Sequence, residues 1–108
     1  MVIVILRFVV ALENRIDTLK VIRSIIGPTE ALPECMSCRI YSAADNSDSL
    51  ILLEEWKSMD GLLGHIQSKE FNKVLAVMEL ASDPPKVEFL TISNKAGMEF
   101  IEEARMKS

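Results

Sequence analysis

The sequence predicts a single α+β domain with its elements in the order strand–helix–strand–strand–helix–strand. Three observations predict it. The N-terminus is a β-branched apolar run, two further strand-like runs are separated only by a short polar turn, and stretches of helical spacing lie on either side of that pair. A length of 108 residues fits one domain, and 49% hydrophobic with 26% charged residues suits a modest core under a solvated surface.

Val2 to Val10, rich in Val, Ile, Leu and Phe, reads as a largely buried first strand. Glu13-Asn14 breaks the run. Asn14 is placed to cap a helix, with Asp17 three residues on to complete a capping box. Ile16, Leu19, Ile22 and Ile26 then form one apolar stripe, Lys20 and Arg23 bring positive charge toward the helix end, and Gly27-Pro28 predicts its stop. Cys35 to Ser42 reads as a second strand and Leu50 to Trp56 as a third. The polar turn Ala44–Asp48 between them predicts an antiparallel hairpin. Ser58 offers the next N-cap, with Asp60 in the first turn. Leu62, Leu63 and Ile66 make one helical stripe, and Phe71, Val74, Leu75 and Met78 make another. At 100° per residue the two are rotated by roughly a quarter turn. That offset predicts a break near Gln67-Ser68, with Ser68 as a fresh cap and Asp83-Pro84-Pro85 as the end of the second segment. Val87 to Ser93 is the fourth strand, with Val87, Phe89 and Thr91 on one face. The domain thus spans residues 1–93. Residues 94–108 form a tail with a short helix, Met98, Ile101 and Arg105 on one side of it.

This order is that of a ferredoxin-like fold, a four-stranded antiparallel sheet with its helices on one face. The strands carry apolar residues at both parities, Ile3 and Ile5 beside Val4 and Leu6, Ile51 and Leu53 beside Leu50 and Leu52. A strand apolar on both sides is buried on both sides. Helices cover one face only, so a homodimer through the other face is expected, with a merely hydrophobic edge as the alternative.

Several function classes lack support. A net charge of -4 and no basic stripe argue against nucleic acid. The N-terminal run has no basic segment ahead of it, carries Arg7 in its middle and is too short to span a bilayer. It therefore reads as a strand, and the chain as cytoplasmic with no membrane partner. Cys35 and Cys38 are expected on opposite faces of one strand, as free thiols without a disulfide. No Gly-rich phosphate loop, no G-x-S-x-G and no paired His or Cys at metal-ligand spacing occurs.

The tract from Leu53 to Phe71 carries a family resemblance. A strand ends in Glu54-x-Trp56, Ser58 follows, His65 lies nine residues after the Trp, and Gln67-Ser68 leads to a second helical segment at Phe71. Pro84-Pro85 before the last strand, and the tail Gly97-Met98-Glu99-Phe100-Ile101-Glu102, fit the same pattern. The chain resembles the antibiotic biosynthesis monooxygenase (ABM) domains, which are dimeric α/β barrels. The resemblance implies cofactor-independent oxidation of a small electron-rich aromatic, such as a quinol or an anthrone, by O₂, with neither flavin nor metal. It also implies a homodimer with a small aromatic or apolar ligand. Haem-degrading relatives share an Asn on the first strand and a Trp and His ten residues apart. Here Arg7 or Phe8, His65 and Leu75 stand at those positions, and leucine cannot ligate iron.

Against that resemblance His65, the only histidine, is the candidate base, since imidazole titrates near neutrality. Its helical angle puts it at the boundary of the Leu62/Leu63/Ile66 stripe, where a structural role is the alternative. Candidate ligand contacts are Trp56, as a wall for an aromatic ring or as core packing; Glu54, in the pocket or in a surface pair with Arg39 or Lys57; Tyr41 and Arg39, holding a phenolate oxygen or packing across strands; and Arg7, a charge interrupting an apolar strand. Three functions compete on this basis: a cofactor-free monooxygenase, a ligand-binding or sensing module without turnover, and a proton-transfer isomerase.

Overall fold

In a computed structural model of the protein, residues 1–107 are described. They form β1 (Val2–Val9), a 3₁₀ turn (Leu12–Asn14), α1 (Arg15–Glu30), β2 (Cys35–Ser42), β3 (Ser49–Trp56), α2 (Met59–Ile66), α3 (Phe71–Glu79), β4 (Lys86–Thr91) and α4 (Met98–Met106). The strands make one antiparallel sheet in the order β2-β3-β1-β4, the ferredoxin-like topology that the element order predicts. No helix among the described residues is long and apolar enough to cross a membrane.

Alternation divides the sheet cleanly. Val2, Val4, Leu6 and Phe8 of β1 and Leu50, Leu52, Glu54 and Trp56 of β3 are buried under the helices. Register places Val87 and Phe89 of β4 on that same side, opposite Leu6 and Val4. Ile22 and Ile25 of α1, Leu62 of α2, and Val74 and Val77 of α3 close the core from above. The far side carries Ile3, Ile5, Ile51 and Leu53, half-buried by their neighbours, with Tyr41 and Leu90 exposed beside them.

Helix α1 departs from its expected outline. The 3₁₀ turn runs directly into it, so Asn14 is already helical and its side chain makes no cap bond. The buried stripe is Thr18, Ile22, Ile25 and Thr29, while Ile16 is 70% exposed. Pro28 does not stop the helix, which continues to Glu30. In the last turn proline removes a single backbone bond. The Ala31 N–H still reaches Gly27 O at 3.1 Å, and burial of Thr29 holds the turn in place.

Three other boundaries are set by local chemistry. A bulge between Cys35 and Ser37 shifts the register of β2, so both cysteines face the core instead of opposite faces. Both are free thiols, and burial raises their pKa values, to about 11 for Cys35. Ser58 does cap α2, accepting from Gly61 N–H at 3.1 Å. The break between α2 and α3 falls where the two stripes predict it, yet Ser68 caps nothing. Its hydroxyl donates to His65 O at 2.6 Å, closing the end of α2. Helix α3 ends at Glu79, before the Asp83-Pro84-Pro85 signal, because Val10 pairs with Ala81 and Ser82 N–H bonds Val9 O, drawing the chain into the sheet. Strand β4 stops at Thr91, and α4 beyond it is exposed along its whole length.

Candidate functional site

Strand alternation and one helical turn bring Glu54, Trp56 and His65 together. Glu54 and Trp56, two apart on β3, point to the same side of the sheet. The Trp56 indole N–H donates to Glu54 Oε1 at 2.9 Å. His65, in the last turn of α2, stacks on Trp56 with ring centroids 5.0 Å apart and meets the edge of Phe71 at 5.4 Å. His65 Nε2 lies 3.9 Å from Glu54 Oε1, and neither ring nitrogen has a hydrogen-bond partner among the described residues. The residue is 3% exposed, so it belongs to the core and not to the stripe boundary. The cause is tertiary: Trp56 and Phe71 supply an aromatic slot for the ring, which periodicity within α2 cannot register.

Glu54 is also 3% exposed, and pairs with neither Arg39 nor Lys57. Burial raises its pKa, since the charged form loses its water, and the indole hydrogen bond and the nearby imidazole offset this in part. A buried carboxylate needs such partners to be tolerable at all.

Beside Glu54 lies a half-open cavity of about 280 Å³ between the sheet and α3, whose exposed wall is entirely apolar. Val4, Leu6, Leu52, Val87 and Phe89 line it from the sheet, and Ile66, Phe71, Val74, Leu75 and Met78 from the helices. Its mouth is bordered by the exposed Leu75, Val87 and Phe89. Glu54 is the one polar residue among those that line it, and its carboxyl is turned to the Trp56 indole with no polar atom exposed to the cavity. His65 and Trp56 stand behind Glu54 and do not line it. His65 instead borders two smaller clefts on the outer side, of about 240 and 180 Å³, whose rims carry Glu34 and Glu70.

The remaining candidates lie elsewhere. Arg7 projects from the far face of β1 and is paired with Glu88. Arg39, on the far face of β2, lies 3.9 Å from Glu30, and Tyr41 beside it is 51% exposed. These three share no wall with Glu54. Among the described residues no cluster of three or more His, Cys, Asp or Glu is placed to hold a metal ion.

The sequence profile of the family described as antibiotic biosynthesis monooxygenase matches residues 1–77, from β1 into α3. The chain belongs to this family. Among solved structures, the ABM chain is similar to Rv0793 from Mycobacterium tuberculosis at 31% identity, with a TM-score of 0.80 over 89% of this chain and 98% of that one. A candidate antibiotic biosynthesis monooxygenase from Deinococcus radiodurans superposes with a TM-score of 0.83 at 11% identity, covering 91% and 98% of the two chains. A Bacteroides thetaiotaomicron protein of unknown function, described as a possible oxidoreductase, does so at 0.77 with 16% identity over 84% and 96%. At those last two identities the likeness is one of fold. No curated protein sequence matches the chain. The ABM profile includes Glu54, Trp56 and His65, whereas β4, which supplies Val87 and Phe89 to the cavity, lies beyond it.

Proposed function

We propose that this ABM protein is a cofactor-independent monooxygenase that oxidises a small electron-rich aromatic, a quinol or an anthrone, with O₂ in the cavity beneath α3. The observation that carries the reading is a hydrocarbon-lined cavity with one buried carboxyl, backed by an imidazole, directly beneath its wall. The chemistry asks for little else. The substrate gives up a proton, and its anion passes one electron to O₂. The two radicals combine as a peroxide anion, which takes the proton back to become a hydroperoxide and then loses water to leave a carbonyl. For an anthrone, one CH₂ and one O₂ become one C=O and one H₂O. The protein must accept the proton, hold the ring flat and exclude water.

His65 is the proton acceptor in this scheme, working through Glu54. Glu54, beneath the cavity wall, relays the proton to His65, whose unpartnered Nε2 lies 3.9 Å from its carboxyl. Trp56 holds both groups in register by its hydrogen bond and its stacking. The unit at work is a homodimer. What supports this is the far face of the sheet, where Ile3, Ile5, Ile51, Leu53, Tyr41 and Leu90, interleaved with the Arg7–Glu88 pair and Arg39, are covered by no helix among the described residues.

The test is oxygen consumption by protein stripped of metal, with quinols and anthrones offered in turn. The reading predicts uptake that falls by roughly 10²-fold or more in His65→Ala, the range for loss of a general base. Full activity in that variant would remove His65 from the scheme. Turnover in anaerobic solution would assign proton-transfer chemistry in place of oxidation.

A further inference from the structure

We infer that α4 of one subunit closes the cavity of the other, laying its Phe100 and Ile101 over the mouth formed by Leu75, Val87 and Phe89. The inference rests on the homodimer reading and adds to the site a wall that a single chain lacks.

The helix itself calls for a partner. It has nine residues, and helices shorter than about 12 residues are marginal in water unless they pack against something. Its start is fixed locally, where Gly97 N–H donates to Glu99 Oε1 at 2.8 Å. At 100° per residue Phe100, Ile101 and Ala104 share one side, and Glu99, Glu102 and Glu103 share the other. The apolar side is left in water, with Phe100 and Ile101 both more than half exposed. The chain holds this helix out as an arm: the radius of gyration is 16.0 Å, against about 13 Å for a compact chain of this length.

The cavity mouth is the surface that matches. Its rim residues Leu75, Val87 and Phe89 are exposed, and the wall behind them is entirely apolar. Covering such a patch with the apolar side of α4 removes both from water and leaves the three glutamates outward. Reach decides which subunit supplies the cover. Ile92 N–H bonds Met1 O at 2.9 Å, and residues 92–95 lie against Met1 and Met36 at one end of the sheet. Ile92 continues the parity of Leu90, so the arm departs on the face bare of helices, where the second sheet packs, whereas its own cavity lies on the other side. Beyond Lys95, two extended residues and a nine-residue helix carry the arm roughly 20 Å. Facing sheets stand only about 10 Å apart. The arm can therefore round the outer strand β4 of the partner and set α4 on the mouth beyond it.

The experiment places cysteines on the two surfaces of the full chain. Native Cys35 and Cys38 are buried, with pKa values raised by burial, and stay slow toward maleimides. Leu75→Cys and Ile101→Cys both replace exposed side chains. With a short bismaleimide the double variant should give a covalent dimer, and neither single variant should. In Leu75→Cys the new thiol should react with maleimide about tenfold or more faster once Phe100→Glu and Ile101→Glu remove the cover. Three results overturn the inference while a dimer in sedimentation velocity keeps the homodimer: linkage within one chain of the double variant, linkage between two copies of Ile101→Cys alone, or no linkage with an alkylation rate indifferent to α4. Sedimentation as a monomer overturns both.

Discussion

Trp56→Phe probes the link between the buried carboxylate and its support. Two losses follow from the structure. The 2.9 Å bond from the indole N–H to Glu54 disappears, and a hydrogen bond to an ionised group contributes about 1.5–3 kcal/mol. Replacing indole by phenyl in a site 1% exposed also leaves a small void, worth about 1–2 kcal/mol on the scale of large-to-small core changes. The sum, about 2.5–5 kcal/mol, is a large share of the stability of a domain this size. The two parts separate in a double-mutant cycle with Glu54→Met, read by urea unfolding. Where position 54 is methionine, Trp56→Phe should cost only its packing part, giving a coupling energy of at least about 1.5 kcal/mol. The pH dependence has a fixed sign. The indole bond opposes the upward shift of the Glu54 pKa, so its loss raises the folded value further above the unfolded one. A carboxyl with a raised folded pKa contributes stability that is fully present below its unfolded pKa and is lost as pH rises through the folded value. The penalty of Trp56→Phe should therefore be largest at pH 8 and shrink toward pH 4. Additive effects in the cycle, to within about 0.5 kcal/mol, together with a pH-independent penalty, would refute the reasoning.

The same sign rule predicts that Glu54→Gln gains stability relative to wild type as pH rises from 4.5 to 8, measured as the difference between urea midpoints; an offset equal at both pH values contradicts a carboxyl held in desolvated surroundings. Two glycines of α2 should respond oppositely to alanine in thermal denaturation. A Cβ at Gly64 meets nothing, so Gly64→Ala should gain about 1 kcal/mol from helix propensity, while a Cβ at Gly61 lands on Glu34 Cβ and 2.9 Å from its Cγ, so Gly61→Ala should lose stability. The open sheet face predicts a dimer in sedimentation velocity that Leu53→Asp converts to monomer; sedimentation of the wild type as a monomer at high concentration contradicts the pairing.

The elements were legible in the sequence because each has a local cause: alternation in β1 and β3, the polar turn of the hairpin, the Ser58 cap, and the rotation between the stripes of α2 and α3. The departures share a different origin, in partners distant along the chain. Cys35 and Cys38 face one way because of a bulge, which spacing cannot reveal. Pro28 stays helical because Thr29 packs beneath it. His65 is buried by rings on β3 and α3, neither of them on its own helix. Glu54 fitted a surface pair as well as the pocket, because burying a carboxylate is costly. The signal against that reading was Trp56 two positions on, an indole N–H on the same strand face with a donor to satisfy. Arg39 and Tyr41 suited a phenolate oxygen by type, and Arg7 suited a pocket as a charge in an apolar strand, yet the sheet turns all three to the opposite face.

The central claim is that ligand enters between α3 and the sheet, above Glu54. Chemical-shift mapping of the protein titrated with 2-naphthol tests it most directly. Perturbations should centre on Glu54, Phe71, Val74, Met78 and Phe89. Perturbations centred on Arg7, Arg39 and Tyr41, across the sheet, would contradict it.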